Sequence, residues 1–254
     1  MSANRVEHLA EGVEMRLGNM LDILPEIGAV DAIITDPPYE DELHKAVGRI
    51  RRNDGREMIS DLGFAGVNND RAEYARLMCE VSTGWVIAFC LAEGVRAWRD
   101  DMQANGAKCD TTLAWVKPDA SPRFNGQGAA RGFECAVTAW CGKGYRSWNG
   151  GGRRGVFTHC VNSGRQGEHP TEKPLPLMIE IIELYTDPGE TICDPFCGSG
   201  TSGVAAVKLG RNFIGIEQDP KWFDLSCRRI SDALARPDLF IAPPAPAPKQ
   251  ESFL

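Results

Sequence analysis

The stretch Thr191–Glu217 reads TICDPFCGSGTSGVAAVKLGRNFIGIE. Thr191–Asp194 is a short apolar strand, Gly198-Ser199-Gly200 makes a tight turn, and Thr201–Leu209 is a small-residue helix ended by Gly210. Asn212–Glu217 is a second strand. Strand, turn, helix and strand in that order form a crossover unit, which implies an α/β fold with a mostly parallel sheet. Glycines at such a turn let a ligand approach the backbone, and the helix start offers free N–H groups. Glu217 closes the second strand, where a carboxylate can accept both hydroxyls of a ribose. The unit therefore predicts an adenosine-containing ligand. Asp194 at the first strand's end would repel a pyrophosphate but suits a cationic group such as an ammonium. S-adenosylmethionine has the adenosine and the ammonium and lacks the phosphates.

Outward from this unit, Val30–Thr35, Gly84–Cys90, Thr112–Val116 and Cys135–Trp140 read as further strands. Leu175–Tyr185 and Pro220–Leu234 have helical periodicity. The 254 residues are 43% hydrophobic, enough for a sizeable core. The longest uncharged apolar run, Trp85–Ala92, is too short to span a bilayer, and the first residues lack a basic-then-apolar signal pattern. A cytoplasmic protein is expected. The nine cysteines include no C-x-x-C pair and fit a reduced protein without a metal site. Gly142–Gly167, with eight glycines, is expected to be a mobile loop or a small excursion from the sheet. Residues 241–254, IAPPAPAPKQESFL, read as a disordered tail.

The net charge of −7 argues at first against a nucleic-acid partner. The charge is unevenly spread, however. Lys117–Lys173 holds nine basic and four acidic residues, so the rest of the chain carries −12. A second basic run, Lys45–Arg56, contains Arg49, Arg51 and Arg52. Two positive segments on a negative body can form one face for a polyanion.

A second constellation is Thr35-Asp36-Pro37-Pro38-Tyr39. The prolines fix the backbone and remove two N–H donors, which leaves carbonyls to accept. Asp36 adds a charged acceptor and Tyr39 a planar ring. That set suits a planar substrate with an exocyclic amino group.

Here the chain resembles the amino-methylating DNA methyltransferases. TDPPY is similar to their catalytic motif, DPFCGSGT to their S-adenosylmethionine loop, and NFIGIEQDPKWFDLSCRRI to their ribose-binding strand and following helix. His169-Pro170-Thr171-Glu172-Lys173-Pro174 resembles their H-P-T-x-K-P element, and Trp115-Val116-Lys117 and Phe133-Glu134 resemble weaker internal elements. The catalytic motif precedes the cofactor loop, as in the permuted β group. The resemblance implies a Rossmann-like methyltransferase domain over residues 1–240. Its catalytic half would be 14–141, its recognition region 142–168 and its cofactor half 169–235. It implies adenine-N6 methylation of double-stranded DNA with base flipping, since Ser often replaces the Asp of Asp36 in cytosine-N4 enzymes. The implied catalytic residues are Asp36, Pro37, Pro38 and Tyr39. The implied S-adenosylmethionine contacts are Asn19, Met20, Asp36, Lys173, Asp194, Phe196, Gly198, Ser199, Gly200, Thr201, Glu217 and Gln218. Asn19 stands where the family often has Asp.

Arg49, Arg51, Arg52, Lys117, Arg123, Arg153, Arg154 and Arg165 are candidate DNA contacts, positioning phosphates without reading sequence. The reader available between the catalytic half and the H-P-T-x-K-P element is short and glycine-rich, which implies a short target or relaxed specificity. Relatives of the group often dimerise, which makes a homodimer a candidate assembly. Arg236-Pro237-Asp238-Leu239-Phe240 resembles the short motif with which bacterial proteins bind the replication sliding clamp, with Arg in place of the leading Gln. The competing reading tucks Leu239 and Phe240 into the domain. Three other functional readings remain: cytosine-N4 methylation, a catalytically dead DNA-binding relative, and a nicotinamide dehydrogenase, which leaves TDPPY unexplained.

Overall fold

The computed structural model describes residues 5–38, 70–123, 126–161 and 172–236. Tyr39, Arg49, Arg51, Arg52, Arg165, His169–Thr171, Leu239, Phe240 and the tail lie outside the described residues.

Its strands are β1 (Arg5–Ala10), β2 (Val13–Leu17), β3 (Val30–Thr35), β4 (Ser82–Cys90), β5 (Lys108–Cys109), β6 (Leu113–Val116), β7 (Phe133–Trp140), β8 (Val156–Thr158), β9 (Thr191–Asp194) and β10 (Asn212–Glu217). The helices are α1 (Met20–Ile23), α2 (Arg71–Val81), α3 (Val95–Ala104), α4 (Leu175–Tyr185), α5 (Thr201–Lys208) and α6 (Pro220–Ala235). The strands form one mixed sheet in the order β1-β2-β10-β9-β3-β4-β7-β6-β8, with β5 also on β7. From β2 to β4 all neighbours are parallel. Strand β7 runs antiparallel to β4, β5 and β6, and β8 is parallel to β6.

Apolar side chains that alternate along each strand feed two cores, one on each face. Ile33, Val86, Ala88 and Val137 pack with Ile23, Leu77, Met78, Trp98 and Met102 of α1, α2 and α3. Ile34, Ile87 and Phe89 pack with Leu177, Ile181, Ala205, Phe223 and Ile230 of α4, α5 and α6. Helix α4 buries Leu177, Met178, Ile181, Ile182 and Tyr185, which lie on one helical stripe. Asp219 caps α6 by accepting from Lys221 N at 2.8 Å, and Pro220 follows at the first helical position, where a missing N–H costs nothing.

The elements read from sequence are present with small changes at their ends. The structure adds the β1–β2 hairpin, α2, in which charged residues weaken the apolar stripe, and α3, which carries a clear stripe through Trp98 and Met102. It also adds β8 inside the glycine-rich stretch expected to be a mobile loop or a small excursion from the sheet; Ala114 pairs there with Val156 and Val116 with Thr158.

Gly84 in β4 sits against β3. A Cβ there would stand 2.3 Å from the Asp31 carbonyl oxygen, a backbone atom that cannot swing away. Gly84→Ala is expected to destabilise the fold by about 1–3 kcal/mol, seen as a lower urea midpoint with an unchanged m-value.

Candidate active site

Strands β3 and β9 lie side by side, with Ala32 opposite Ile192 and Ile33 opposite Cys193. The chain leaves β9 toward β10 on one side and leaves β3 toward β4 on the other. Such a divergence opens a crevice beyond the carboxyl ends of the strands, where ligands bind in open α/β sheets. Both constellations therefore meet there.

Asp194 joins them. One carboxylate oxygen accepts from Thr35 Oγ1 at 2.6 Å and from Phe196 N at 3.1 Å. The other accepts from Ser202 Oγ at 2.5 Å. Burial pushes the Asp194 carboxyl up to about 6, with these donors opposing the rise and the charge of Asp36 adding to it. The expected ligand carboxylate is thus also a structural tie, with acceptor capacity for one further donor.

The glycine loop follows. Gly198 and Gly200 have φ values of +53° and +80°, the left-handed region that glycine adopts without strain. A Cβ on Gly200 would meet Ser226 Cβ at 2.8 Å, so this glycine lets the loop rest on α6. A Cβ on Gly198 would meet nothing closer than 4.0 Å, so that residue faces open space. A Cβ on Gly203 would meet Ile230 and Phe213 at 2.5 and 2.7 Å, which presses α5 against its neighbours. Gly198, Gly200 and Gly203 thus share the G-x-G-x-x-G spacing of dinucleotide sites, and Asp194 and the TDPPY motif are what set this site apart.

Glu217 accepts from Gly198 N and from Asp219 N, each at 2.8 Å, one on each carboxylate oxygen. Burial pushes its carboxyl up, against the pull of those N–H groups. Leu17 of β2 pairs with Glu217, and Gly18 N donates to the Glu217 carbonyl at 2.9 Å. Asn19 therefore stands near the acid, where its side chain caps α1 by accepting from Leu21 N at 2.9 Å. Met20 is a core residue, 3% exposed. Phe196 is half-buried and meets Tyr74 of α2 edge to face at 5.0 Å. Gln218 is exposed.

On the β3 side, Pro37 is buried and Asp36 and Pro38 are half-buried. Lys173, 7% exposed, donates to Asp36 Oδ2 and lies 3.4 Å from Glu134 Oε2. Burial alone would lower the Lys173 ammonium; Asp36 and Glu134 outweigh it and hold it above the usual lysine range. Glu134 also accepts from Lys117. Burial lowers the Lys117 ammonium against the pull of Glu134.

Beside the glycine loop is a second buried network. Glu172 Oε1 accepts from Arg229 at 2.5 Å and from Thr201 Oγ1 at 3.3 Å, and Arg229 donates to the Ser199 carbonyl at 2.7 Å. Sequence reasoning gave Glu172 and Arg229 no role and Glu134 only a family likeness. Glu172 occupies the variable position of H-P-T-x-K-P, and a glutamate next to the motif lysine was the one signal available.

The expected DNA contacts are dispersed. Lys117 is drawn into the crevice by Glu134 instead of lying on the surface. Arg123 and Arg154 are exposed, and Arg153 pairs with Glu180 of α4. The 142–149 part of the expected recognition region sits at the opposite rim of the sheet. Antiparallel β7 ends beside the start of β4, with Trp140 opposite Trp85, and Asn149 N then donates to the carbonyl of Leu184 at the end of α4. Only after β8 does the chain return to the crevice side. Cys193 and Cys197 are buried in the core. Among the described residues no helix is long and apolar enough to cross a membrane.

A family model described as DNA methylase, N6/N4 type, matches residues 30–228. The chain belongs to the N6/N4 DNA methylase family. It is 28% identical over 239 residues to the type II methyltransferase M2.MboI of Moraxella bovis, an alignment spanning 85% of this chain and 86% of that one. It is 26% identical to M.HinfI of Haemophilus influenzae, spanning 83% of this chain and 65% of that one. Among solved structures, the M1.HpyAVI–SAM complex matches with a TM-score of 0.67 at 26% identity, over 85% of this chain and 98% of that one. The PvuII cytosine-N4-specific DNA methyltransferase shares the fold, with a TM-score of 0.62 at 16% identity, over 87% of this chain and 91% of that one. The protein is an S-adenosylmethionine-dependent DNA methyltransferase. Its residues fit the cofactor. Gly198 faces open space beside the Glu217 carboxylate, and two acids at the loop suit hydroxyl and ammonium donors and would repel a diphosphate.

Because the native Asp194 carboxyl titrates near 6, above its ordinary value of 3.8, the folded chain holds a proton in that window that the unfolded chain releases. This group's contribution to stability falls as pH rises from about 4 to about 6 and is flat above. Asp194→Asn removes that slope. The stability of wild type relative to the variant, from urea unfolding, is expected to decline across that interval.

Proposed function

We propose that the protein methylates the N6 amino group of adenine in double-stranded DNA, with the base turned out of the helix into the crevice. The observation that carries this reading is Asp36, a carboxylate in the crevice at the end of β3, one residue from the Thr35 hydroxyl tied to the cofactor loop. An exocyclic amino group is a weak nucleophile because its lone pair is delocalised into the ring. Asp36 and the Pro37 carbonyl accept its two N–H bonds and favour a pyramidal nitrogen. Asp36 then stabilises the positive charge that develops on that nitrogen. Tyr39 stacks on the extruded base and replaces lost stacking worth roughly 1–3 kcal/mol.

S-adenosylmethionine supplies the electrophilic methyl group when bound. Glu217 holds the ribose hydroxyls, Asp194 and Lys173 the methionine end, and Asn19, Met20, Phe196 and Gln218 surround the adenine. Gly198, Ser199, Gly200 and Thr201 give the close backbone approach. Arg123 and Arg154, with Arg49, Arg51, Arg52 and Arg165, contact phosphates. Cytosine-N4 methylation is the second reading, because the cytosine-N4-specific PvuII enzyme has the same fold.

Tritiated methyl transfer to DNA followed by nucleoside digestion separates the two: label is expected in N6-methyl-2′-deoxyadenosine, and label in N4-methyl-2′-deoxycytidine would replace the first reading with the second. Asp36→Ala is expected to abolish transfer while cofactor binding, measured by calorimetry, is retained. Glu217→Gln is expected to weaken cofactor binding by about 1.5–3 kcal/mol, roughly tenfold to a hundredfold in Kd.

A further inference from the structure

Three half-buried thiols, Cys79, Cys109 and Cys141, meet at the rim of the sheet opposite the crevice, and methyl transfer uses none of them. Cys109 of β5 stands directly across from Ala139 of β7. Cys141 lies two positions after Ala139, where its N–H donates to the Gly84 carbonyl at 2.8 Å and keeps the chain alongside β4. It is therefore the diagonal neighbour of Cys109 on the same face of the sheet. Helix α2 packs on that face and brings Cys79 to it, 62 positions away in the chain. The thiol of Cys79 donates a hydrogen bond to the sulfur of Cys141.

A thiol pair reacts when one sulfur has thiolate character, the other is in contact with it, and a small oxidant can reach both. The hydrogen bond from Cys79 lowers the Cys141 thiol against the effect of burial, and the same bond raises Cys79. Cys141 is thus the attacking sulfur and Cys79 the protonated partner beside it. Cys109 is turned to α3, where its thiol donates to the Arg99 carbonyl at 3.6 Å. Cys90 and Cys135 also stand directly opposite each other, on β4 and β7, but they are 1% and 8% exposed and burial raises the Cys135 thiol. That second pair lacks both access and a thiolate.

We propose that Cys79 and Cys141 form an oxidisable dithiol that hydrogen peroxide closes to a disulfide within the folded chain. The Cys141 thiolate attacks one peroxide oxygen and the O–O bond breaks. Cys141 becomes a sulfenic acid, and the departing hydroxide leaves as water with the proton Cys141 gave up. The Cys79 sulfur then attacks the Cys141 sulfur and the S–O bond breaks. The second hydroxide leaves as water with the Cys79 proton. Two thiols lose two electrons and one peroxide is reduced to two waters. The bond fastens α2 to the end of β7, and a dithiol reductant reopens it by exchange.

The test treats the reduced, full chain with hydrogen peroxide, blocks remaining thiols, and maps the unreduced digest by mass spectrometry. Peptides containing Cys79 and Cys141 are expected joined, with the loss of two hydrogens, and dithiothreitol is expected to separate them. In Cys79→Ser, dimedone is expected to label Cys141 as its sulfenic acid; in Cys109→Ser the link is expected to persist. A Cys79–Cys141 link that forms only in urea, a Cys90–Cys135 or Cys109–Cys141 link in its place, or oxidation confined to the exposed Cys160 overturns the proposal. Absence of a dimedone adduct on Cys141 in folded Cys79→Ser overturns its role as the attacking sulfur. The wild-type map decides the pairing even where a variant fails to fold.

Discussion

One hydrogen bond, from Thr35 Oγ1 to Asp194 Oδ1, fastens together residues 159 positions apart in the chain. Both are buried, Thr35 at 0% and Asp194 at 4% exposure, so the Thr35 hydroxyl would lose its acceptor and Asp194 one of its three donors if the strand ends moved apart. The bond holds the ends of β3 and β9 level, and each end carries one motif. Asp36 follows Thr35 directly, and the first loop glycine, Gly198, stands four residues after Asp194. The spacing between the Asp36 carboxylate and the glycine loop therefore depends on this contact. Ser202 and Phe196 N complete it from α5 and the loop, so the helix start is drawn onto the same carboxylate.

Around this tie the crevice is built largely from acids held by cations. Glu172 and Arg229 brace the glycine loop from α6, while Lys173 and Lys117 hold Asp36 and Glu134 on the other side. Glu172 and Lys173 are consecutive and face opposite halves of the site. The segment entering α4 thus bridges the glycine loop and the end of β3. Buried ion pairs contribute little net stability, but losing one partner is strongly unfavourable, so such pairs hold a geometry more than they strengthen a fold.

The legible parts of the sequence were those with short-range causes. VDAIIT, TICD and NFIGIE announce strands because buried parallel strands are continuous apolar runs. LPLMIEIIELY announces a helix because its apolar residues recur on one stripe. The TDPPY and DPFCGSGT motifs were legible because proline and glycine restrict or free the backbone in known ways. The hairpin β1–β2 and helix α2 were not, because charged residues interrupt their apolar positions. Helix α3 went unread although Trp98 and Met102 lie one helical turn apart on its buried face. The strand within the glycine-rich run was not legible either: β8 is held by its pairing to β6, and a three-residue strand carries no periodicity.

The sequence by itself determined the α/β class, the two motifs and the adenosine-binding cofactor, because each follows from local backbone chemistry. It also showed a basic segment within an acidic chain. Only the tertiary structure decided what those charges face. Lys117 turns inward to Glu134, Arg153 lies against α4, and residues 142–149 sit at the rim away from the crevice. The physical reason is the reversal of β7, which carries the chain to the opposite end of the sheet and which no local signal announces. Strand order likewise brought Lys173 to Asp36 across 137 positions, since such contacts are set by how the two cores pack against the sheet.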